Sequence, residues 1–481
     1  MSYQHTTEPC DILLVGVNVG YIHSSFAPRC LLANLGSLQS RARIIETDTR
    51  ETTPEQFIER LLLHRPAVIG FSVYIWNVSF VTATLKLLRL VAPETALILG
   101  GPQFVPGIDQ TELHDLADAV VCGEAEGIIE SLCQRLLTDE RKLGTIVPSL
   151  PVLSEVELPY SLYTDDDLAH RVVYAETTRG CPFACTYCTS SESGGIRYFD
   201  LDRLLPQLHD LLQRGARAFK FLDRSFNLGG EHALTVLDFM LEHWRDDLTL
   251  HFEFTPGKIS PAWRERLLRF PPHGLHLEVG IQTWDAAVAK RIRRPFDAEI
   301  ATETLRFLTD EAGADVHADL IVGLPGEGSE SFAAGFDRLV RLKPAELQVG
   351  ILKLLPGTAL ANDVAEFDLR FAPDPPYEIL ATSVIPFMQM RRLARFARTW
   401  DLLYNRQRFN HTAALIRGDA ASPFERVMAI ADWLHENYGR LHALAPKQIA
   451  VAIEATTPPD KIRAIRQALE TDHRQHARRG S

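Results

Sequence analysis

The stretch Val172-Val173-Tyr174-Ala175-Glu176-Thr177-Thr178-Arg179-Gly180-Cys181-Pro182-Phe183-Ala184-Cys185-Thr186-Tyr187-Cys188 sets the reading of the whole chain. Its first five residues suit a short strand, and the loop that follows spaces three cysteines as C-x3-C-x2-C. Further strand-like runs follow at 218–222, 250–254, 276–281, 316–322 and 347–353, each separated by helical periodicity. Such units predict an incomplete (β/α)6 barrel of the TIM type rather than a doubly wound sheet, with its chemistry at the C-terminal strand ends. Polar residues gather at those ends: Glu176 beside the cysteine loop, Asp223, Glu253, Glu278 with Gln282, Asp319 and Lys353. A strand carboxylate buried without a partner is strongly disfavoured, so Glu253 and Glu278 each need a partner or a ligand.

Three thiolates leave one iron of a cubane cluster without a protein ligand, and that open iron can chelate a small molecule. A structural zinc site would want a closed set of four protein ligands. His170 is the sole further candidate nearby, and no cysteine follows Cys188. The chain has seven cysteines in 481 residues, which does not suggest a disulfide framework.

A hydrophobic content of 46% and a charged content of 23% fit two or three globular domains. The net charge of -12 argues against a broad basic surface for nucleic acid, and the basic run at 473–479 reads as a solvated helix end. The first hydrophobic run, 12–15, is strand-sized and no secretion signal precedes it. The most apolar region, 67–91, is interrupted by Ser72, Asn77, Ser79, Thr82, Thr84 and Lys86, so no membrane span is expected. The expected location is cytoplasmic.

Upstream of the barrel, short apolar runs at 12–17, 42–47, 67–73, 96–99 and 119–121 alternate with amphipathic stretches. They predict a Rossmann-like (flavodoxin-like) domain over 8–145, whose ligands bind at the carboxyl ends of the strands. The loops there are 18–26, Tyr74-Ile75-Trp76-Asn77, Gly100-Gly101-Pro102 and Gly123-Glu124. A linker is expected over 146–168, where Pro148, Pro151, Pro159 and the acidic run Asp165-Asp166-Asp167 fall. The barrel is assigned to 169–365 and a mainly helical C-terminal domain to 366–481, with the clearest helices at 391–404 and 424–438.

With this cysteine spacing after a first barrel strand, the sequence resembles the radical S-adenosylmethionine (SAM) superfamily. The resemblance implies that Cys181, Cys185 and Cys188 hold a [4Fe-4S] cluster whose open iron binds the amino and carboxylate groups of SAM. An electron from the reduced cluster would break the sulfur to C5′ bond, giving methionine and a 5′-deoxyadenosyl radical. Carried over residue by residue, Tyr187 matches the aromatic that packs beside the adenine. The Gly-Gly-Glu stretch common in the family is replaced here by Leu222-Asp223-Arg224-Ser225-Phe226-Asn227, leaving Asp223 as a substitute holder of the SAM amino group. Glu278 and Gln282 are placed for ribose or methionine groups, and Leu324, within Leu320-Ile321-Val322-Gly323-Leu324-Pro325, for the adenine.

The order of domains is similar to that of cobalamin-dependent radical SAM proteins, in a subgroup with a C-terminal helical domain of unknown function. That resemblance implies a corrin ring held over the barrel by loops containing Ser72, Tyr74, Trp76, Asn77, Gly100, Gly101, Pro102, Gly123 and Glu124. The Asp-x-His-x-x-Gly frame that places a histidine on cobalt is missing, although His23 lies in the right loop. Either cobalt takes no protein ligand or the domain has lost cobalamin. The implied function is a cobalamin-dependent methyltransferase of an unactivated or poorly activated centre, acting on a small molecule or peptide. An electron donor such as flavodoxin or ferredoxin would serve it. A cyclase or rearrangement enzyme with the same cofactors is one alternative. A non-catalytic iron-sulfur or cobalamin-binding protein is another, disfavoured because carriers close their cluster with protein ligands and no basic recognition helix is present.

Overall fold

The computed structural model describes residues 9–108, 111–192, 194–418, 422–440 and 442–479. The expected domain start at residue 8 and the last residues, 480–481, lie outside the described residues, as do the side chains of 476–479 in the basic run.

Strands β1 (Ile12–Asn18), β2 (Ala42–Asp48), β3 (Val68–Ser72), β4 (Ala96–Gly100), β5 (Ala119–Val121) and β6 (Gly144–Ile146) form one parallel sheet. Its order is β2-β1-β3-β4-β5-β6, the flavodoxin order with one strand added. All of β3 is buried, as a parallel strand covered on both faces must be. The helix Pro54–Leu62 begins where the sequence predicts. Thr53 and Gln56 exchange backbone and side-chain hydrogen bonds, and Pro54 occupies the first helical position. The added strand β6 corrects the expectation of five: it is three residues long and largely exposed, too short for a periodic signal.

Residues 146–168 are packed in part: Leu153, Val156 and Leu158 are buried, whereas Val147, Leu150 and Val152 are exposed. Tyr160 and Tyr163 are buried, and the acidic run opens the helix Asp165–His170. Thr164 caps that helix, exchanging hydrogen bonds with Asp167 (3.1 and 3.0 Å). Carboxylates in a first turn face the partial positive charge of the helix N-terminus, which suits three acidic residues in a row.

Next come β7 (Val173–Ala175), β8 (Thr178–Arg179), β9 (Arg197–Tyr198), β10 (Ala218–Phe221), β11 (Thr249–Phe254), β12 (Leu275–Gln282), β13 (Asp315–Val322) and β14 (Glu346–Ile351). β8 and β9 form a small antiparallel pair beyond the barrel wall. The other six strands are parallel in the order β14-β13-β12-β11-β10-β7, a barrel left open between its first and last strands. Along β12 the buried residues Leu275, Leu277, Val279 and Ile281 alternate with the more accessible His276, Glu278, Gly280 and Gln282, so the lumen is polar.

The free edge of β14 is covered from the C-terminal region. Trp400 Nε1 donates to the Leu347 carbonyl (2.8 Å), and the Asn405 amide bonds both the N–H and the carbonyl of Leu347 (3.2 and 3.0 Å). Side chains thus satisfy backbone groups that an open strand edge would expose. That region opens with the antiparallel pair β15 (Arg370–Phe371) and β16 (Ile379–Ala381) and continues in helices Phe387–Trp400, Asn410–Arg417, Pro423–Tyr438, Pro446–Thr456 and Ile462–Arg479. The helix expected at 391–404 starts earlier, and its last residues form a π turn, Asp401–Asn405.

Candidate cofactor site at the joint of the two parallel sheets

The chain leaves β8 through Gly180 at φ +97°, a left-handed turn that favours glycine, and enters the cysteine loop. Two backbone bonds hold the loop: Thr186 N–H donates to the Ile292 carbonyl (3.0 Å), and Leu360 N–H donates to the Thr186 carbonyl (2.7 Å). Of the three cysteines, Cys185 is buried and Cys181 and Cys188 are partly so. Arg294 lies with Nη1 3.8 Å from Cys185 Sγ and donates to the Gly280 carbonyl through its other amino group. Burial pushes the Cys185 thiol up, and the Arg294 charge opposes that. Tyr187 is packed against Cys185 and Arg294, and burial pushes its phenol far up. The donor set fits a cluster: three thiols in one loop, with a cation beside the most buried of them.

The segment after β10 supports this loop from below. Asp223 is 1% exposed, and its carboxylate accepts hydrogen bonds from Thr177 N (3.0 Å), Thr177 Oγ1 (2.6 Å) and Thr178 Oγ1 (2.7 Å). Ser225 Oγ lies 4.0 Å from Cys181 Sγ, and the Asn227 amide bonds the N–H and carbonyl of Thr255 (2.9 and 3.0 Å). Its oxygens are engaged by the residues that lead into the cysteine loop, a geometry that supports a propping role beside the expected contact with SAM.

The remaining expected SAM residues separate. Glu278 stands inside the lumen, accepting from Lys220 Nζ (3.2 Å) and His251 Nε2 (3.1 Å). Burial works against its charge, yet His251 and Lys220 outweigh burial and hold the carboxyl well below the usual range. Gln282 ends β12 at φ +69°, where the register with β13 shifts, and such strain in a non-glycine residue is a mark of functional positions. The Leu324 side chain is fully buried in the barrel core, which leaves only its backbone to meet a ligand. Glu253, near the end of β11, faces Arg224 at 3.4 Å. Burial pushes its carboxyl up to about 7 against the pull of Arg224, so it exchanges a proton near neutral pH.

Two ion clusters join the barrel to the first sheet. In one, Arg29 and Glu46 of the first sheet's domain meet Asp167 and Arg171, with Arg29 to Asp167 at 2.9 Å, Arg171 to Glu46 at 2.6 Å and Arg171 to Asp167 at 2.8 Å. All four are buried, and the two arginines outweigh burial to lower Glu46 to about 2. In the other, Arg179 bonds Glu176 (2.6 Å), Glu124 (2.6 Å) and Glu126 (2.7 Å), and Arg197 also holds Glu124.

This second cluster borders a cavity of about 230 Å³. Ser72, Gly100, Gly101, Gly123 and Glu124, all expected there, line it together with Gly70, Cys30, Glu176 and Arg179. A Cβ on Gly70 would sit 3.3 Å from Leu14, and one on Gly101, at φ +103°, 2.6 Å from the Val73 carbonyl oxygen. A side chain at either position would crowd neighbouring protein atoms, so glycine lets these cavity-lining segments approach closely.

The other expected cobalamin residues stand elsewhere. His23 Nδ1 bonds the Tyr174 hydroxyl (2.8 Å) where the domains meet. Trp76 is exposed and stacks on Tyr74, with ring centroids 4.2 Å apart. Asn77 is buried and pinned to backbone, donating to the Val17 and Ser72 carbonyls (both 3.1 Å) and accepting from Tyr74 N (2.8 Å). Pro102 is exposed. Sequence reasoning missed Arg294, which meets Cys185 across 109 residues, Arg179, which meets Glu124 across 55, and Cys30 in the cavity wall. Among the described residues no helix is long and apolar enough to cross a membrane.

The model of the radical SAM superfamily matches residues 175–339, that of the B12 binding domain residues 12–133, and that of a protein of unknown function, DUF4080, residues 365–448. The chain is 25% identical over 350 residues to the cobalamin-dependent radical SAM methyltransferase TokK of Streptomyces tokunonensis, taking in 64% of this chain and 50% of that one. The chain therefore spans half the length of that relative. Among solved structures, the radical SAM methyltransferase TsrM from Kitasatospora setae, with cobalamin and a [4Fe-4S] cluster bound, gives a TM-score of 0.62 at 15% identity, over 97% of this chain and 100% of that one. The cobalamin-dependent SAM radical enzyme OxsB gives 0.64 at 14% identity, over 98% and 81%. At these identities the likeness is one of fold.

Proposed function

We infer the function from the premise that this chain joins a B12 binding domain, a radical SAM domain and a C-terminal DUF4080 domain: a cobalamin-dependent radical SAM methyltransferase. Its target is an unactivated or poorly activated centre of a small molecule or peptide, and a flavodoxin or ferredoxin supplies the electrons. One observation carries the reading. The glycine-lined cavity of the first domain is walled by Glu176 and Arg179, and Arg179 stands two residues before Cys181. A ligand in the cavity and a cluster on the loop would share one site.

When bound, the cluster supplies the electron that cleaves SAM and cobalamin supplies a carrier for the methyl group. Cys181, Cys185 and Cys188 hold the cluster, and Arg294 offsets the negative charge gathered at Cys185. Tyr187 packs beside it. The cavity lined by Gly70, Gly100, Gly101 and Gly123 would take part of the cobalamin, and Gln282 ends β12 at the barrel mouth. Glu253 holds or releases a proton at its carboxyl oxygen while substrate is bound.

The test is anaerobic reconstitution with iron and sulfide, followed by turnover with SAM, hydroxocobalamin and a chemical reductant. The expected result is a cobalamin spectral change on binding, and S-adenosylhomocysteine formed alongside 5′-deoxyadenosine. Formation of 5′-deoxyadenosine alone would assign ring formation or rearrangement. No spectral change at saturating hydroxocobalamin would overturn the cobalamin reading.

A further inference from the structure

Below the mouth of the barrel, toward the N-terminal ends of the last three strands, the lumen holds a second group of metal-binding side chains. His276 comes from β12, His317 from β13 and Glu346 from β14. Register pairs His317 directly with Glu346 and sets His276 beside Asp315, one step lower on the same strands. Each of the three offers one ligand atom, and these atoms lie within 4.8 Å of one another. A tetrahedral zinc ion with bonds of about 2.0 to 2.1 Å sets its ligand atoms about 3.3 Å apart, so small rotations of the side chains close the site.

The surroundings of His317 suit a ligating histidine. His317 is 9% exposed, and its Nε2 faces Asp319 Oδ1 at 3.2 Å. Its other nitrogen, Nδ1, lies 3.7 Å from Glu346 Oε2, too far for a hydrogen bond but on the side where a shared cation would sit. A cation on Nδ1 fixes the proton on Nε2, and Asp319 then becomes the outer carboxylate that orients a ligating histidine. The base of the lumen suits a positive charge, since Asp315, Glu346 and Asp319 lie there and the Lys220 charge is engaged by Glu278. The Glu346 side chain is 36% exposed, which leaves a path for entry from the base of the barrel.

We propose that His276, His317 and Glu346 form a binding site for a divalent cation of the zinc type, with Asp319 orienting His317 and water as the fourth ligand. Nitrogen and oxygen donors with no thiolate set this site apart from the cysteine loop. It clips the outermost strand β14 to β13 and β12 at the end of an open barrel, so its role is structural.

The test uses the full chain with its iron-sulfur cluster reconstituted, titrated with zinc sulfate, with zinc and iron per chain measured by mass spectrometry. One zinc per chain beyond the iron is expected, together with a higher melting temperature in zinc. Cobalt(II) in place of zinc should give ligand-field bands with no thiolate charge-transfer band. His276→Gln and Glu346→Gln should each weaken zinc binding about tenfold or more at unchanged iron content, and Asp319→Asn about tenfold. Should His276→Gln fail to fold, Glu346→Gln at the exposed base carries the test. Zinc binding that is unchanged in Glu346→Gln, falls short of one per chain, or brings a thiolate band with cobalt overturns the proposal.

Discussion

Asp223→Asn decides whether this carboxylate props the cysteine loop or touches SAM. In the structure Oδ1 accepts both threonine hydroxyls and Oδ2 accepts Thr177 N–H. An asparagine can keep only one of these faces as oxygen. With the amide oxygen at the Oδ1 position, the new NH2 meets the Thr177 N–H donor against donor; turned round, it meets two hydroxyls that must both reverse. Either way one charge-assisted bond is lost, at roughly 1.5 to 3 kcal/mol. Part of this is offset, because burial raises the Asp223 pKa against its hydrogen bonds and a neutral amide escapes that cost. The net is about 1 to 3 kcal/mol. For a domain of this size that lowers the melting temperature by about 2 to 12 °C. The assay is thermal melting by circular dichroism without SAM, with iron per chain and the SAM concentration for half-maximal cleavage measured in parallel. Melting and iron retention should fall while the SAM requirement stays within about twofold. An unchanged melting curve with a tenfold higher SAM requirement would refute the strut.

Other substitutions probe the remaining parts of the site. Cys181→Ala, Cys185→Ala or Cys188→Ala should each prevent a stable cluster, whereas Cys10→Ala and Cys122→Ala, both in the first domain, should keep full iron content by elemental analysis. Gly100→Leu should abolish the absorbance change with hydroxocobalamin yet leave melting almost unchanged, because a Cβ there meets nothing closer than 3.7 Å and the side chain enters the cavity. Glu46→Gln should destabilise the chain by about 3 to 5 kcal/mol by leaving Arg29 and Arg171 short of a partner. The Glu46 pKa falls from 4.5 to about 2 on folding, so its stabilisation is present above pH 4.5 and is lost as pH falls toward 2; the variant should lack that acid slope in pH-dependent melting. Glu253 has the opposite sign. Its pKa rises from 4.5 to about 7, so its contribution is full below pH 4.5 and disappears as pH rises through 7, about 3 kcal/mol in all, and Glu253→Gln should flatten that interval.

What the sequence made legible was local. The cysteine loop announces itself by spacing, and the strands by short apolar runs, so the two parallel sheets and their order of domains follow from the chain read in windows. The acidic run at Asp165 misled because its composition resembles a linker, although Thr164 with Asp167 three residues later is itself a capping signal that marks a helix start. Asp223 was legible only in part. Its place at a strand end suited a ligand contact, and only the adjacency of β7 and β10 brings Thr177 and Thr178 onto its oxygens. Arg29, Glu46, Asp167 and Arg171 carry no shared motif in the sequence. They meet across more than a hundred residues, and no pattern along the chain records that meeting.

Those long-range pairs tie the two parallel sheets together. β7, the strand that feeds the cysteine loop, is bracketed by two arginines, and both find carboxylates in the other domain: Arg171 in Glu46, Arg179 in Glu124 and Glu126. Removing one partner from such a buried cluster costs about 3 to 5 kcal/mol, so hinging the domains apart would have to break two of them together. The arginine nearer the cysteines also forms a wall of the cavity, together with its partners Glu124, Glu126 and Glu176. Their spacing is therefore set by side chains that belong to both. Under the proposed function a methyl carrier and a radical source would act on one substrate and need a fixed separation, since small misplacements of reacting groups cost orders of magnitude in rate. On that reading the Arg179 cluster would fix it.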